Sequence, residues 1–325
     1  MAMKPRHTKL SVRSREEIPD ENILLGSVTA AIKRIHTAKA ADRIPVSRDM
    51  KNITRRVRDD RQKNVVRSFR QLCQRHTRWT VWSDFVMMAA IEISNAVDHA
   101  NAVQRSETYR NIAKRYNAAE HQAFGEMLTE IVLGMDENVE QDFLGELFMA
   151  LELGNDHSGQ FFTPYEVCKL MAGTSSTDLK ERIEKDHWIS VNDCACGAGA
   201  LLLAFANECS RQEVNYQTSV LFTAQDVDLI SGCMCYIQLS LLGCPGYVVI
   251  GNTITSPSTS YDRRGLLPRG TENVWYTPLY FTDTWHYRKL FAQLDLMCRS
   301  AKEAPVEVEI QAHLKTTETG QLTLF

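Results

Sequence analysis

The sequence lacks any run of about 18 apolar residues, the length at which a membrane-spanning helix is expected. Residues 1–10 are polar and basic, so they do not form the apolar centre of a signal peptide. The chain has nine cysteines, an odd number, scattered through helical and strand-like stretches. This usage is typical of reduced thiols in the cytoplasm, so we expect a cytoplasmic protein without membrane contact.

Two short cysteine spacings, Cys194-x-Cys196 and Cys233-x-Cys235, bear on metal binding. The first pair lies in a turn that contains glycines. The second pair lies in an apolar helical pattern, where residues two apart point to different sides of the helix. We therefore predict packed thiols and no metal site.

The most informative segment runs from Trp188 to Leu201. An apolar stretch predicts a buried strand that ends at Asp193, and Gly197 and Gly199 then precede an apolar helix. A carboxylate at the end of a strand, followed by glycines that let the backbone approach a ligand, is how α/β sheets hold nucleoside-bearing cofactors. The spacing is not Gly-x-Gly-x-x-Gly and no Gly-Lys-Ser/Thr follows, which disfavours dinucleotide and P-loop sites.

Charge is distributed unevenly along the chain. Residues 1–78 hold 20 Lys and Arg against 8 Asp and Glu, whereas the remainder holds 17 against 32. A basic arm on an acidic body predicts DNA binding, because Lys and Arg displace counterions from phosphates. The alternative is a basic arm that pairs with the acidic body. The candidate DNA-binding residues are Arg55, Arg56, Arg58, Arg61, Lys63, Arg67 and Arg70.

Hydrophobic periodicity predicts an α/β protein with a helical first half. We expect helices at about 62–76, 82–97, 108–115, 118–133 and 139–153, and a further helix that begins with a capping box, Thr163-x-x-Glu166. Helices at 200–209 and 229–242 alternate with strands at 220–225 and 246–250, which implies parallel strands. A helix at 283–298 and an alternating stretch at 306–310 follow. The predicted units are a basic arm (1–61), a helical domain (62–155), an α/β domain (156–300) and a tail (301–325).

Two motifs in this order resemble the adenine-N6 DNA methyltransferases, and among them the modification subunits of type I restriction systems. They are Asp-Cys-Ala-Cys-Gly-Ala-Gly at 193–199 and, about 30 residues earlier, Gly-Gln-Phe-Phe-Thr-Pro at 159–164. The resemblance covers roughly residues 80–255. It implies a truncated Rossmann-like fold that binds S-adenosylmethionine, preceded by an all-helical domain. The implied cofactor residues are Gln160, Phe161, Phe162, Thr163, Asp193, Cys194, Gly197, Gly199, Asp226, Asp228 and Asn252.

The sequence departs from this family where the target base is held. The family's Asn/Asp-Pro-Pro-aromatic tetrapeptide is absent, and the only candidates near its position are Tyr276, Thr277 and Pro278. Three alternatives stay open. The chain is a DNA adenine methyltransferase with a diverged motif that a specificity or catalytic partner subunit completes, or a plasmid or phage accessory protein that binds cofactor and DNA and transfers nothing. The third alternative is methyl transfer to RNA or protein.

The last residues predict a further partner. Gln321, Leu322, Leu324 and Phe325 follow a polar stretch, and apolar anchors in such a tail indicate a partner groove. The peptide Gln-Leu-Thr-Leu-Phe resembles the peptide by which bacterial replication proteins dock on the sliding clamp of DNA polymerase. The alternative is a terminal strand that folds back onto the body.

Overall fold

The structure is a computed structural model that describes Val57, residues 59–153, 162–270 and 273–303, and two short strands at 315–316 and 322–323. Most of the predicted basic arm and the alternating stretch at 306–310 therefore lie outside the described residues. Within the described part of the chain, no helix is long and apolar enough to cross a membrane.

The segment before the sheet is helical, as the periodicity predicted. Asp59 caps the first helix, where its Oδ1 accepts the Gln62 N–H at 2.8 Å, and Asn117 and Glu120 form a capping box at the fourth. The helices are α1 (Asp60–Leu72), α2 (Arg78–Asn95), α3 (Ala102–Ala113), α4 (Ala118–Glu137) and α5 (Phe143–Ala150).

Strands and helices alternate in the second half of the chain. The elements are α6 (Tyr165–Ser175), α7 (Leu179–Asp186), β1 (Ile189–Asp193), α8 (Ala200–Arg211), α9 (Tyr216–Ser219), β2 (Val220–Asp226), α10 (Leu229–Leu242), β3 (Gly246–Ile250), β4 (Val274–Tyr276) and α11 (Asp283–Glu303). Short 3-10 turns occupy Ser258–Ser260 and Pro278–Phe281. Lys315–Thr316 (β5) pairs antiparallel with Leu322–Thr323 (β6).

The main sheet has the order β1-β2-β3-β4. Strands β1, β2 and β3 are parallel, which confirms the expectation from the alternating pattern, and β4 is antiparallel to β3. Parallel strands bring their carboxyl ends to one edge, so Asp193, Asp226 and Ile250 end at the same side of the sheet. Because β4 runs the other way, its last residue, Tyr276, pairs with Tyr247 near the start of β3.

One hydrophobic core joins the helical segment to one face of the sheet, and a smaller cluster covers the other face. Helix α10 packs against α2, where the Cys233 Sγ lies 3.9 Å from the Met87 Sδ. Arg105 of α3 donates to the Val274 carbonyl at 2.7 Å and lies over the Trp275 ring. The boundary predicted between the helical and α/β domains therefore stays a prediction, because the two segments share this core.

The outer edge of β1 borders a cavity of about 450 Å³. Arg182 and Lys185 of α7 and Arg264 line this cavity together with Ile189 and Ser190. The Arg264 guanidinium lies 4.0 Å from the centre of the Trp188 ring. The side of β1 that faces away from β2 is therefore bordered by three basic side chains and one acidic side chain, Asp186.

Two local expectations were wrong. The helix after the Phe-Phe-Thr-Pro segment begins at Tyr165, and its N-cap is Pro164 without a side-chain hydrogen bond, so Thr163 forms no capping box. Helix α7 was not expected. It is highly charged and short, and its only apolar residues are Leu179 and Ile183, which are too few to mark a helix.

Candidate nucleoside site at the carboxyl edge of the sheet

The loop between β1 and α8 turns sharply at two glycines. Gly197 and Gly199 have φ angles of 53° and 98°, a region that favours glycine. The Cys196 N–H donates to the Gln225 carbonyl at 3.0 Å, which ties the loop to β2. Gly199 is the N-cap of α8, so the loop ends at the positive end of a helix dipole.

The carboxylate of Asp226 joins this loop to the end of β2. Its Oδ2 accepts the Gly197 N–H at 2.8 Å, and its Oδ1 accepts the Asp228 N–H at 2.9 Å. Each carboxylate oxygen has about two acceptor positions, so the group can accept further hydrogen bonds. Asp226 is half-buried, so part of its side chain is accessible from solvent.

Asp193 lies at the end of β1 beside this loop. Its Oδ1 accepts the Ala195 N–H at 3.1 Å. Burial raises the pKa of Asp193, and the nearby charge of Asp226 raises it further. The edge therefore concentrates negative charge next to backbone N–H groups, an arrangement that suits a cationic or hydroxyl-bearing ligand.

The structure brings the two sequence motifs together. A side-chain carbon placed on Gly197 would lie 2.9 Å from the Phe162 ring, so this ring packs directly against the loop. Phe148 of α5 supports Phe162 from behind, with 5.2 Å between ring centres. Thr163 is exposed next to it, whereas Gln160 and Phe161 lie outside the described residues.

Three other predicted cofactor residues mainly hold loops. Asp228 caps α10, since its Oδ1 accepts the Ser231 N–H at 2.7 Å. The Oδ1 of Asn252 accepts the Ile254 N–H at 2.9 Å, so this amide oxygen bonds its own turn. The exposed Cys194 accepts a 2.6 Å hydrogen bond from the Thr253 hydroxyl through its carbonyl.

A buried polar link behind the loop was not predicted from the sequence. The Gln238 side-chain amide of α10 donates to the Ala198 carbonyl and to Asp142 Oδ1, both at 2.8 Å, and its oxygen accepts the Leu144 N–H at 3.0 Å. Asp142 is fully enclosed, and burial raises its pKa to about 6. A glutamine in an otherwise apolar helix was the available signal, because buried amides need partners.

Gln225, on β2, was missed as well. Its amide nitrogen donates to the Gly251 carbonyl at 3.2 Å and to the Ser256 carbonyl at 2.9 Å, and its oxygen accepts the Ser258 N–H at 2.8 Å. One side chain thus fixes the loop that follows β3. The ends of β1, β2 and β3 are therefore held as one unit.

Residues 144–293 match the sequence model of the family described as N-6 DNA Methylase, and this segment contains the whole edge described above. This match spans just under half of the chain and supports an assignment to the N6-adenine DNA methyltransferase family. The type I restriction-modification system methyltransferase subunit from Streptococcus thermophilus is a similar solved structure, with 14% identity and a TM-score of 0.31. The match covers 72% of this chain and 59% of that subunit. No curated protein sequence matches the chain.

The cysteines of the chain are all free. Cys196 of the loop and Cys235 of α10 are buried and interact, and this contact, with burial, raises the pKa of Cys196. Cys233 faces Met87 instead, so residues two apart on α10 do point to different sides. Among the described residues, no group of three His, Cys, Asp or Glu side chains is arranged to hold a metal ion.

The three catalytic candidates lie at the other end of the sheet. Thr277 is completely buried, and its hydroxyl accepts the Gly246 N–H at 2.9 Å and contacts the Cys244 carbonyl at 2.7 Å. Tyr276 stacks on Tyr280, and Pro278 is buried in the following turn. The structure does not bring them together with Asp226, because β4 is antiparallel and carries its carboxyl end away from the loop.

The predicted DNA-binding residues divide into two groups. Arg55, Arg56 and Arg58 lie outside the described residues. On α1, Arg61 forms ion pairs with Glu130 and Glu137 of α4, and Lys63 pairs with Asp60 at 2.7 Å. Arg67 is exposed and Arg70 is half-buried. At Arg61 the basic segment pairs with the acidic body, whereas Arg67 presents its charge to solvent.

The predicted clamp-binding peptide is described only at Leu322 and Thr323. These two residues form β6 and pair with β5. Gln321, Leu324 and Phe325 lie outside the described residues.

Proposed function

We propose that this chain binds S-adenosylmethionine at the carboxyl edge of β1 and β2, where Asp226 receives the ribose hydroxyls. The observation that supports this most directly is the 2.8 Å bond between the Gly197 N–H and Asp226 Oδ2. It joins the glycine loop to an acid that keeps free acceptor positions. Phe162 would cover the nucleoside, and Asp193 would lie beside its charged part.

When bound, S-adenosylmethionine supplies an electrophilic methyl group. The substrate we propose is the amino group of adenine in DNA, in keeping with the family. Methyl transfer also needs acceptors that orient this amino group towards the donor. The family's tetrapeptide is absent from the sequence, so we propose that a partner subunit, of the kind that type I systems use, completes the site.

The second candidate function is cofactor-dependent DNA binding without methyl transfer. The position of Tyr276, Thr277 and Pro278 favours it, because these residues serve packing at the opposite end of the sheet. Labelled methyl transfer to duplex DNA distinguishes the two functions. We expect the purified chain alone to transfer no methyl group above background, and efficient transfer would show that our account of the missing acceptors is wrong.

Calorimetry with S-adenosylmethionine tests the cofactor site. We expect Asp226→Asn to weaken binding about tenfold or more, because an amide accepts fewer hydroxyl hydrogens than a carboxylate. Asp228→Asn is the matched control, since asparagine also caps a helix and affinity should persist. If the wild-type protein binds no cofactor at millimolar concentration, the proposal fails.

We propose that the basic residues before position 79 contact DNA phosphates. We also propose a cytoplasmic location, which the nine free cysteines support. Binding should weaken steeply as salt rises, and deletion of residues 1–60 should abolish retardation of a nonspecific duplex. Unchanged retardation would mean that the arm pairs only with the acidic body. The ion pairs of Arg61 with α4 make Arg67 the better single-residue probe.

The clamp peptide stays a proposal that rests on the sequence of residues 321–325. A labelled peptide of residues 315–325 should bind the sliding clamp with a dissociation constant on the order of micromolar. Replacing Leu324 and Phe325 by alanine should release it. Equal binding of the altered peptide would exclude this mode of docking.

A further inference from the structure

Helix α11 exposes a continuous row of large apolar side chains. They are Tyr287, Leu290, Phe291, Leu294 and Met297, here called the α11 stripe, and each is between 43% and 69% exposed. Side chains of this size leave on the order of 500 Å² of apolar area in water, towards the upper end of what monomeric proteins show. Such a surface is typical of an interface.

The opposite face of α11 is fixed to the body, so the helix cannot turn its stripe inward. Trp285 is completely buried and donates its indole N–H to the Gln217 carbonyl at 2.8 Å. Lys289 donates to the Tyr280 carbonyl at 2.9 Å and lies over the Tyr280 ring. The helix is therefore apolar on two sides, and only one of them meets the described part of the chain.

The spacing of the stripe is that of a helix-pairing surface. Tyr287, Leu290, Leu294 and Met297 are separated by three, four and three residues, the a and d positions of a heptad. Three of the residues that flank them, His286, Gln293 and Cys298, carry no carboxylate, ammonium or guanidinium group. When two copies of this surface pack together, these flanking residues therefore cause no charge repulsion.

We propose that the α11 stripe is a self-association surface on which the α11 stripe of a second copy of this chain packs. Two stripes facing each other would bury on the order of 1,000 Å², about the smallest area expected of a specific interface and consistent with a weak dimer. The surface is self-complementary, which a twofold-symmetric pair requires. This proposal is independent of cofactor binding and of methyl transfer.

Sedimentation velocity on the full-length protein tests the proposal. We expect the wild type to form dimers at concentrations of about 10 to 100 µM, and the double variant Leu290→Glu with Leu294→Glu to be monomeric. Val103→Glu is the control, since Val103 is an apolar residue on α3 that is even more exposed. It should leave the dimer intact. Far-ultraviolet circular dichroism and melting curves verify that each variant is folded.

A charge-swap experiment identifies the occupant of the stripe. The double variant Leu290→Lys with Leu294→Lys should also be monomeric, and an equimolar mixture of the two variants should recover dimers. Opposite charges meet in the mixture whether the helices run parallel or antiparallel. A monomeric wild type, or a mixture that stays monomeric, would overturn the proposal and indicate that another part of the chain or a different protein covers the stripe.

Discussion

At the carboxyl ends of β1 and β2, polar groups of the loop and of Asp226 are half-buried and keep free acceptor positions. At the other end of the sheet, Thr277 is completely buried, and its hydroxyl bonds the Gly246 N–H and the Cys244 carbonyl. Both ends use side-chain oxygens to bond backbone N–H groups. The two ends differ in the hydrogen-bonding positions that stay free. Asp226 can still accept hydrogen bonds from a ligand, whereas the Thr277 hydroxyl has its partners within the protein.

Two polar residues with similar positions in the sequence have different roles in the structure. Asp226 is the last residue of β2, and Thr277 directly follows the last residue of β4. Strand direction decides their roles, because β2 delivers its last residue to the shared edge and antiparallel β4 delivers its own to the opposite end. We therefore expect substitutions at the two ends to differ in whether they alter cofactor affinity or stability.

The largest effect is expected at Gly199. In Gly199→Ala the new Cβ would lie 2.8 Å from the Cys235 Sγ, at a φ of 98° that alanine rarely adopts. Cofactor binding should be lost, and the free energy of unfolding should fall by about 2 to 4 kcal/mol, as for overpacked and strained sites. Calorimetry and urea unfolding measure the two quantities.

Two matched variants sharpen this prediction. In Gly173→Ala on α6 the new Cβ has no atom within 4 Å, so neither cofactor affinity nor the free energy of unfolding should fall. Adding Cys235→Ala to Gly199→Ala removes the sulfur and should recover part of the stability. If the double variant is no more stable than Gly199→Ala, the contact with Cys235 is not the cause.

Asp142 links the loop to the helical segment and should make stability depend on pH. Its pKa of about 6 in the folded protein lies above its ordinary value of 3.8. Stability from this group is therefore complete below about pH 4 and is lost as pH rises through 6. We expect Asp142→Asn to become more stable relative to the wild type as pH rises, by at most about 3 kcal/mol.

Urea unfolding of both proteins at pH 5 and pH 8 measures this difference. Asparagine can still cap α5 and accept from Gln238, so the comparison isolates the charge. A difference that is the same at both pH values would contradict the raised pKa.

A smaller effect is expected at Thr277, at the end of the sheet opposite the glycine loop. Thr277→Val should lower the free energy of unfolding by about 2 kcal/mol, because the Gly246 N–H loses a buried acceptor. Cofactor affinity should not change in Thr277→Val.

The matched variant at the carboxyl edge is Thr253→Val, which removes an exposed hydrogen bond to the Cys194 carbonyl. It should weaken cofactor affinity severalfold with little loss of stability. If Thr277→Val weakens binding as much as Thr253→Val does, the two ends are not separate.

The sequence allowed prediction of the parts of the site that local chemistry determines. The glycine loop, Asp226 and the parallel order of β1, β2 and β3 follow from a strand, its acidic end and an apolar helix, all within short windows. Strand β4 was not predicted, because Val274–Tyr276 is too short to show an alternating pattern. Its antiparallel direction placed Tyr276 and Thr277 away from the loop.

Polar contacts between distant parts of the chain could not be predicted from local sequence patterns. Gln238 and Asp142 are 96 positions apart, and the sequence around either residue does not indicate that the two bond to each other. Thr163 shows the opposite error, since a valid capping pattern gave no cap. Pro164 takes the N-cap position there, and Thr163 lies one residue before it. Local patterns therefore located the site, whereas the tertiary structure determined which polar atoms remain available.

The outer edge of β1 has a consequence for how the protein behaves at high concentration. An exposed strand edge is a template on which other chains add strands, and this is a common route to aggregation. Arg182, Lys185 and Arg264 border this edge, and they repel the same residues of an approaching copy. Asp186 also lines the cavity, so the local excess is two positive charges, and we expect this excess to disfavour edge-to-edge association of two copies.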